Sequence, residues 1–215
     1  MATWKLYPTA TAYGTQPTLQ GGWEYNTSTY KTLSESKEGT LGYQSGTMAS
    51  TDVDYDTELY AAVSSALTED RTFSGAFSGC IGFRGATGLN GYPRIHAWVR
   101  VGSTGSTVRG TIINGHVDSD NELGTTALGR AFSGTLTEVA ASSGDTIIVE
   151  IGVRSSASSQ PLYPRAYYGG TDATDLSEGA AAATYSGWIE LEYGGVAAPV
   201  IEAAQVGSDI QVSWT

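Results

Sequence analysis

Four acidic side chains at alternate positions, in the pattern D-x-D-x-D-x-E, have the most metal-like spacing in this sequence: Asp52, Asp54, Asp56 and Glu58. Carboxylate oxygens are the ligands that Ca²⁺ prefers, but an EF-hand loop needs Gly at its sixth position and Glu at its twelfth, where Thr57 and Val63 stand. On a strand these acids share one face and repel one another unless water or a metal screens them. The favoured interpretation is a solvated acidic edge, with a calcium site at Asp52, Asp54 and Asp56 as the alternative.

Nucleophilic and zinc chemistry have no supporting pattern. His96 and His116 are the only histidines, and neither has a metal-binding residue at a zinc-like spacing. His96 falls on the outer face of a predicted strand, so we expect it at the surface. Cys80, the only cysteine, has no local catalytic signature and is predicted to be a small buried side chain. The sequence therefore predicts no catalytic residue, no cofactor and no enzymatic activity.

Aromatic side chains on predicted surfaces are the remaining functional signal. Trp98 falls on the polar face of its strand, and Tyr163, Tyr167 and Tyr168 precede the pair Gly169-Gly170. Such rings stack on sugars or form subunit interfaces. Because the aromatic residues are dispersed through the chain, we favour an interface and keep a glycan-binding site as the alternative.

Residues 1–50 are predicted to form an extended arm with short strands, because prolines and paired glycines interrupt them. The arm carries many aromatic residues, among them Trp4, Tyr7, Tyr13, Trp23 and Tyr25. An isolated arm cannot bury these rings, so it either covers its own domain or packs on a neighbouring subunit. We expect the five residues to act in assembly, with the intrachain arrangement as an equal alternative.

The composition indicates one all-β domain. The chain has 215 residues, 28 of them Gly, and a formal net charge of −11. A surplus of acids disfavours direct contact with nucleic acid, which needs a concentrated positive surface. No segment has the apolar length of a membrane span and the N-terminus lacks a secretion signal, so we expect a soluble protein without membrane contact.

Short strands separated by turns extend over residues 51–194. The strongest is Thr146–Val153, which follows a Gly-Asp turn and is apolar on nearly both faces, as in a central strand. Residues 93–101 alternate apolar Ile95, Ala97 and Val99 with polar and aromatic residues, and residues 107–113 return as the partner of a hairpin. The pattern predicts an antiparallel β-sandwich of the jelly-roll type.

The C-terminal residues have a different texture. Residues 195–199 are predicted to be a linker, and residues 200–215 contain two strand patterns. This stretch resembles the opening strands of a fibronectin type III or related immunoglobulin-like module, whose early proline and second-strand tryptophan match Pro199 and Trp214. Such a module needs about seven strands to close its core, so we expect either a module that continues beyond Thr215 or a strand-exchanging tail.

Together, the Gly/Ser/Thr/Tyr-rich texture, the arm, the sandwich containing residues 140–154 and the stretch from Pro199 resemble structural proteins of tailed-bacteriophage virions. The resemblance implies a capsid decoration protein, head fibre or tail-surface component. It also implies a homo-oligomer, with a trimer favoured, that contacts virion proteins such as the major capsid protein. Such a protein is made in the host cytoplasm and resides on the virion surface. The alternative is a carbohydrate-binding β-sandwich module that serves in host attachment.

Overall fold

The computed structural model describes residues 1–48, 55–86, 90–119, 122–155, 163–195, 201–206 and 209–214, and its regular elements are all β-strands. They are β1 (Ala2–Ala12), β2 (Tyr30–Ser34), β3 (Gly42–Ser45), β4 (Tyr55–Ser64), β5 (Arg71–Arg84), β6 (Gly91–Arg100), β7 (Val108–Val117), β8 (Leu128–Ala141), β9 (Thr146–Ser155), β10 (Arg165–Tyr168), β11 (Trp188–Gly195), β12 (Ile201–Val206) and β13 (Asp209–Trp214).

The strands form two layers that share β1. Residues Ala2–Leu6 pair with β11, in the layer that also contains β5, β8, β10 and β3. From Tyr7 onward the same strand pairs with β2, with a register shift between Pro8 and Ala12, and the second layer continues through β4, β9, β6 and β7. The predicted all-β sandwich is confirmed. Its named strand pairs are antiparallel except β2–β4, which is parallel.

The main core lies between the two layers. β5 contributes Phe73, Phe77, Ile81 and Phe83, and these side chains share one hydrophobic cluster with apolar residues of β6 and β9. Alternation explains this arrangement, because every second residue of a strand points to the same face. The burial of these apolar side chains supplies the main driving force for folding.

The strand with the strongest sequence pattern occupies the predicted position. β9 lies between β4 and β6, and Thr146–Val153 is buried along its whole length. Gly144, at a φ of 90°, adopts the left-handed backbone of the preceding turn, which favours glycine. The predicted β6–β7 hairpin is also present, with Trp98 opposite Thr111. These elements confirm the strand assignment around the centre of the domain.

The N-terminal strands are integral to the sandwich. β1 lies between β11 and β2, and β3 pairs with β10. Residues 13–29, called the β1–β2 segment below, cross the outer face of the second layer. The segment covers a small second core that contains Ala61, Val63, Trp98 and Ile148. The structure therefore has the intrachain arrangement, and not an arm that extends away from its own domain.

The C-terminal strands β12 and β13 pair antiparallel in a sheet of their own, with Ile201 opposite Trp214. The immunoglobulin-like continuation stays a prediction. Of the predicted linker 195–199, Gly195 ends β11 and residues 196–199 lie outside the described residues, as do Asp52 and Asp54. Among the described residues there is no apolar helix long enough to cross a membrane.

Candidate functional site

A buried carboxylate, Glu150 of β9, is the centre of the most polar interior region. Its two oxygens accept hydrogen bonds from the backbone N–H groups of Gln20 and Gly21 at 2.7 and 2.8 Å. The indole N–H groups of Trp23 and Trp98 donate to it as well, each at 2.6 Å. A carboxylate at 0% exposure needs such partners, because burying an uncompensated charge is costly. The apolar pattern that predicts a central strand at β9 does not indicate this role.

Trp23 fixes the β1–β2 segment to the sheet by its shape as well as by its hydrogen bond. Its ring lies in a notch above Gly152, where a Cβ atom would come within 2.6 Å of the ring. The Arg94 guanidinium lies over the Trp23 ring, 4.4 Å from the ring centroid, and donates to the Gly21 carbonyl at 2.6 Å. The glycine is thus required by the close approach of the indole.

Asp56 is paired with two arginines. Its carboxylate accepts two hydrogen bonds from Arg154, at 2.9 and 2.7 Å, and lies 3.2 Å from the Arg94 guanidinium. Asp56 is 4% exposed and Glu58 is 0% exposed, so the expectation of a solvated acidic edge is wrong for both. Two guanidinium groups neutralise the charge of Asp56, which disfavours a calcium ion there, and the calcium alternative stays an untested prediction. No cluster of three metal-ligating side chains occurs in the described parts of the chain.

Two ionisable side chains beside Glu150 are only partly satisfied. Burial raises the pKa of Glu58 to about 8, although the Thr27 N–H donates to it at 2.9 Å. His96 lies opposite Glu150 in the sheet, and burial lowers its pKa. Neither His96 ring nitrogen nor Glu58 Oε1 has a hydrogen-bond partner among the described residues. Both groups are therefore favoured in their neutral forms near neutral pH.

The outer face of β6 is covered, and this contradicts two surface predictions. Trp98 is 0% exposed and His96 is 3% exposed. The predicted alternation along β6 is correct, but the β1–β2 segment covers the face that should have met solvent. Trp98 is therefore not a surface ring for sugars or subunits. It is a hydrogen-bond donor in the interior.

Four of the five aromatic residues proposed for assembly have side-chain partners in their own chain, and Tyr25 is held through its backbone, which bonds to Asp56 and Glu58. Trp4 stacks on Phe73, with ring centroids 6.2 Å apart, and donates to Glu35 at 2.7 Å. Lys37 lies over Tyr7, Arg100 donates to the Tyr13 hydroxyl, and Trp23 donates to Glu150. These four side chains thus have partners within the chain, as in the intrachain alternative, and their role in assembly stays a prediction. Tyr25 remains 37% exposed.

The remaining aromatic candidates lie on a different part of the sandwich, where β3, β10 and the end of β5 meet. Tyr163 is 59% exposed and Tyr43 is 45% exposed. Tyr167 contacts Tyr43 at a ring-centroid distance of 5.6 Å. Tyr168 is turned inward and packs edge-to-face on Tyr60 at 5.5 Å, with Lys31 over its ring. The structure thus separates Tyr168 from the exposed rings.

Arginines accompany these exposed tyrosines. Arg84 of β5 and Arg165 of β10 are direct cross-strand partners. A pocket of about 340 Å³ is lined by Arg84, Gly85, Ala86, Thr125, Tyr163 and Arg165. We call the group of Arg84, Arg165, Tyr43 and Tyr163 the arginine–tyrosine edge. The sequence showed the tyrosines, but the arginines meet only through the β5–β10 register.

A second, larger groove of about 550 Å³ lies beside His116, Phe132 and Trp188. The aromatic rings at this groove already contact other side chains of the same protein. Lys5 lies 4.0 Å from the centroid of the Trp188 ring, and His116 packs edge-to-face on Phe77 at 5.3 Å. Nearby, Cys80 is buried at 1% exposure, and burial raises its thiol pKa to about 12. The prediction that Cys80 is a small buried side chain is confirmed.

No protein-family description matches the sequence, and no curated protein matches it. Solved structures do show similarity of fold. An aminopeptidase from the marine sediment archaeon Thaumarchaeota archaeon aligns at 9% identity and a TM-score of 0.50, over 91% of this chain and 37% of that one. At this identity the likeness concerns the fold alone.

Two further structures have TM-scores below that of the aminopeptidase. A CocE/NonD family hydrolase from Staphylococcus aureus aligns at 10% identity and a TM-score of 0.48, over 88% of this chain and 36% of that one. The structure of infectious bursal disease virus Gx strain contains a chain that aligns at 13% identity and a TM-score of 0.30, over 75% of this chain and 35% of that one. This protein therefore spans little more than a third of any of the three chains.

Proposed function

We propose that this protein is a non-enzymatic structural component of a tailed-phage virion, which assembles as a homo-oligomer on the particle surface. A trimer is the expected assembly, and the major capsid protein is the expected partner on the particle. The protein stabilises or decorates the shell after synthesis in the host cytoplasm. The observation that carries the proposal is the long edge strand β8.

Strand β8 ends the first layer, and β5 is its only hydrogen-bonded partner among the described strands, although Val139 of β8 also packs against Gly110 of β7. Residues 176–181 cover only the first residues of β8, where the Gly129 N–H donates to the Ala180 carbonyl at 2.8 Å. Beyond them, Ser133, Thr135 and Thr137 are exposed. Proteins that stay monomeric commonly protect such an edge with lysine or proline. β8 has neither, which favours pairing with another subunit.

The internal pairing of the carboxylates also supports a structural role. Glu150 is surrounded by four N–H donors, and Asp56 is paired with two arginines. A general base must reach the proton that it abstracts, and a nucleophile must reach its target atom. These two carboxylates instead hold the β1–β2 segment and the strands together.

Light scattering coupled to size-exclusion chromatography tests the proposal. We expect wild-type protein at the mass of a trimer, and the double variant Thr135→Lys, Thr137→Lys at the mass of a monomer, because like charges repel across a paired edge. The matched control is Thr104→Lys, Thr107→Lys in the exposed β6–β7 turn, which should remain trimeric. A wild-type protein that is monomeric at every concentration contradicts the proposal.

The second candidate function is glycan binding, and the exposed rings of Tyr43 and Tyr163 favour it. Exposed aromatic rings present an apolar face with a polar hydroxyl at one end, which suits a sugar ring. A glycan array should give signals that disappear in the Tyr43→Ala, Tyr163→Ala variant and persist in Tyr25→Ala, which removes an exposed ring elsewhere. Arrays without signal for the wild-type protein would exclude this function.

A further inference from the structure

The pairing of positive charges is uneven across the molecule. Of the 11 Lys and Arg residues, seven lie within salt-bridge distance of a carboxylate in the described part of the chain: Lys5, Lys37, Arg71, Arg94, Arg109, Arg130 and Arg154. Acids outnumber bases two to one, so a positive side chain without an acidic neighbour is unexpected. Arg84 and Arg165 are two such side chains among the described residues, and they line the same pocket.

Their arrangement places like charges together. Arg84 and Arg165 are opposite each other on β5 and β10, where repulsion destabilises a strand pair. Uncharged groups hold both guanidinium groups in place. Arg84 Nε donates to the Thr125 carbonyl at 2.8 Å, and the Arg165 guanidinium stacks 4.3 Å from the centroid of the Tyr43 ring. An anion between them would relieve the repulsion.

The pocket has the size and lining of a small-ligand site. Its volume of about 340 Å³ is near the lower end of the range for such sites, roughly 300–1,000 Å³. No acidic residue is among its described lining residues. Tyr163 contributes a ring that is 59% exposed, next to the hydroxyl-bearing Thr125. The pocket thus combines two positive charges, an aromatic face and a hydroxyl group.

The charge of the whole chain narrows the ligand class. A formal charge of −11 repels polyanions such as nucleic acid at long range, while a ligand with one negative charge experiences a much smaller penalty. The planar fork of a guanidinium group matches the two oxygens of a carboxylate. A ring beside that carboxylate could then stack on Tyr163.

We propose that the Arg84–Arg165 pocket binds the carboxylate of an acidic saccharide, with Tyr163 stacking on the sugar ring. This inference rests on the glycan-binding function given above as the second candidate, and it specifies the ligand as a hexuronate. Arg84 and Arg165 bind the carboxylate, and Tyr163 stacks on the sugar ring, which favours a cyclic acid over a small inorganic anion. The assembly function through β8 is independent of it.

Nuclear magnetic resonance titrations of the full chain at constant ionic strength test this inference. The probes are glucuronate, glucose and inorganic sulfate. We expect glucuronate to shift resonances around Arg84, Thr125 and Tyr163 and to bind at least about tenfold more tightly than glucose or sulfate. Arg165→Gln and Arg84→Gln should each weaken glucuronate binding about tenfold or more. Arg165→Lys should recover only part of the affinity, because lysine lacks the fork.

The variant Lys37→Gln is the matched control, since it removes one positive charge from an ion pair with Asp175 and is not part of the pocket. It should retain wild-type affinity. Equal binding of glucose and glucuronate would overturn this inference while leaving glycan binding intact. Equal binding of sulfate and glucuronate would overturn the saccharide assignment. If a folded wild-type protein binds neither glucuronate nor glucose, the inference is overturned. A glycan array without signal would show, separately, that the second candidate function fails as well.

Discussion

The covered face of the second layer and the arginine–tyrosine edge use the same residue types in opposite ways. On the covered face, Arg94 and Arg154 meet Asp56, and Trp23 donates to Glu150. At the edge, Arg84 and Arg165 lie opposite each other, and the groups that hold them among the described residues are uncharged. Charges that are paired with opposite charges stabilise the fold. Charges at a pocket that have no oppositely charged partner are available to bind a ligand.

The largest difference should come from Glu150→Gln. The amide would place an NH₂ group among four N–H donors, so buried donors would lose their acceptor. We expect a loss of about 3–5 kcal/mol in the free energy of unfolding, measured with urea. The control Glu138→Gln, on the exposed side of β8, should change stability by less than about 0.5 kcal/mol. A similarly small loss for Glu150→Gln would contradict the role of this carboxylate.

Arg94→Gln should have the next largest effect. It removes the ion pair with Asp56, the hydrogen bond to the Gly21 carbonyl and the contact with Trp23. Because Asp56 is buried, we expect the free energy of unfolding, measured with urea, to fall by about 2–4 kcal/mol. Trp23 fluorescence should also shift to the red as the β1–β2 segment loosens. Unchanged stability and fluorescence would show that the segment is not held by this arginine.

Glu58→Gln should change the pH dependence of stability. Burial raises the pKa of Glu58 from 4.5 to about 8, so the folded protein binds a proton that the unfolded chain has lost. Stability from this group is therefore lost as pH rises toward 8. His96, with its pKa lowered from 6.5, acts in the opposite sense and loses stability on acidification below 6.5.

Between pH 6.5 and 8 the Glu58 effect is thus unopposed by His96. We expect wild-type stability to fall by about 2 kcal/mol across this window and the Glu58→Gln variant to show no such fall. Urea denaturation at each pH measures both. Parallel pH profiles for the two proteins would rule out a protonated Glu58 in the folded state.

Arg165→Gln should have the smallest effect on stability, in contrast to the same substitution at Arg94. Its guanidinium has no carboxylate partner among the described residues and faces Arg84 across the strand pair. We expect the free energy of unfolding to change by no more than about 0.5 kcal/mol, and to increase, because the substitution removes the repulsion between two arginines. A loss as large as that of Arg94→Gln would mean that Arg165 is a structural residue and that the two regions do not differ.

The sequence predicted the strands well because their signal is local. Alternation in Ile95–Val99 and the apolar run of β9 specify strands and the faces that meet the main core. Alternation cannot reveal that a distant segment returns over the opposite face. For that reason alternation alone predicts His96 and Trp98 at the surface, although residues 13–29 cover them.

The candidate sites depended on pairing over long sequence distances. A lone glutamate in an apolar strand was a usable signal, because a buried carboxylate requires donors, but nothing in the sequence identified Gln20, Gly21 and Trp23 as those donors. Tyr163 and Tyr167 were found from their aromatic character. Arg84 and Arg165 were missed, since only the β5–β10 register brings them together.

Arginine-specific labelling with a dicarbonyl reagent, read by mass spectrometry, tests the contrast between the two regions most directly. Arg94 and Arg100 are 8% and 0% exposed, whereas Arg84 and Arg165 are partly exposed at the pocket. In the folded protein we predict modification of Arg84 and Arg165, and protection of Arg94 and Arg100 until urea unfolds the chain. Labelling of Arg94 and Arg100 at the rate of Arg165 would contradict the account, because it would mean that the β1–β2 segment does not cover this face.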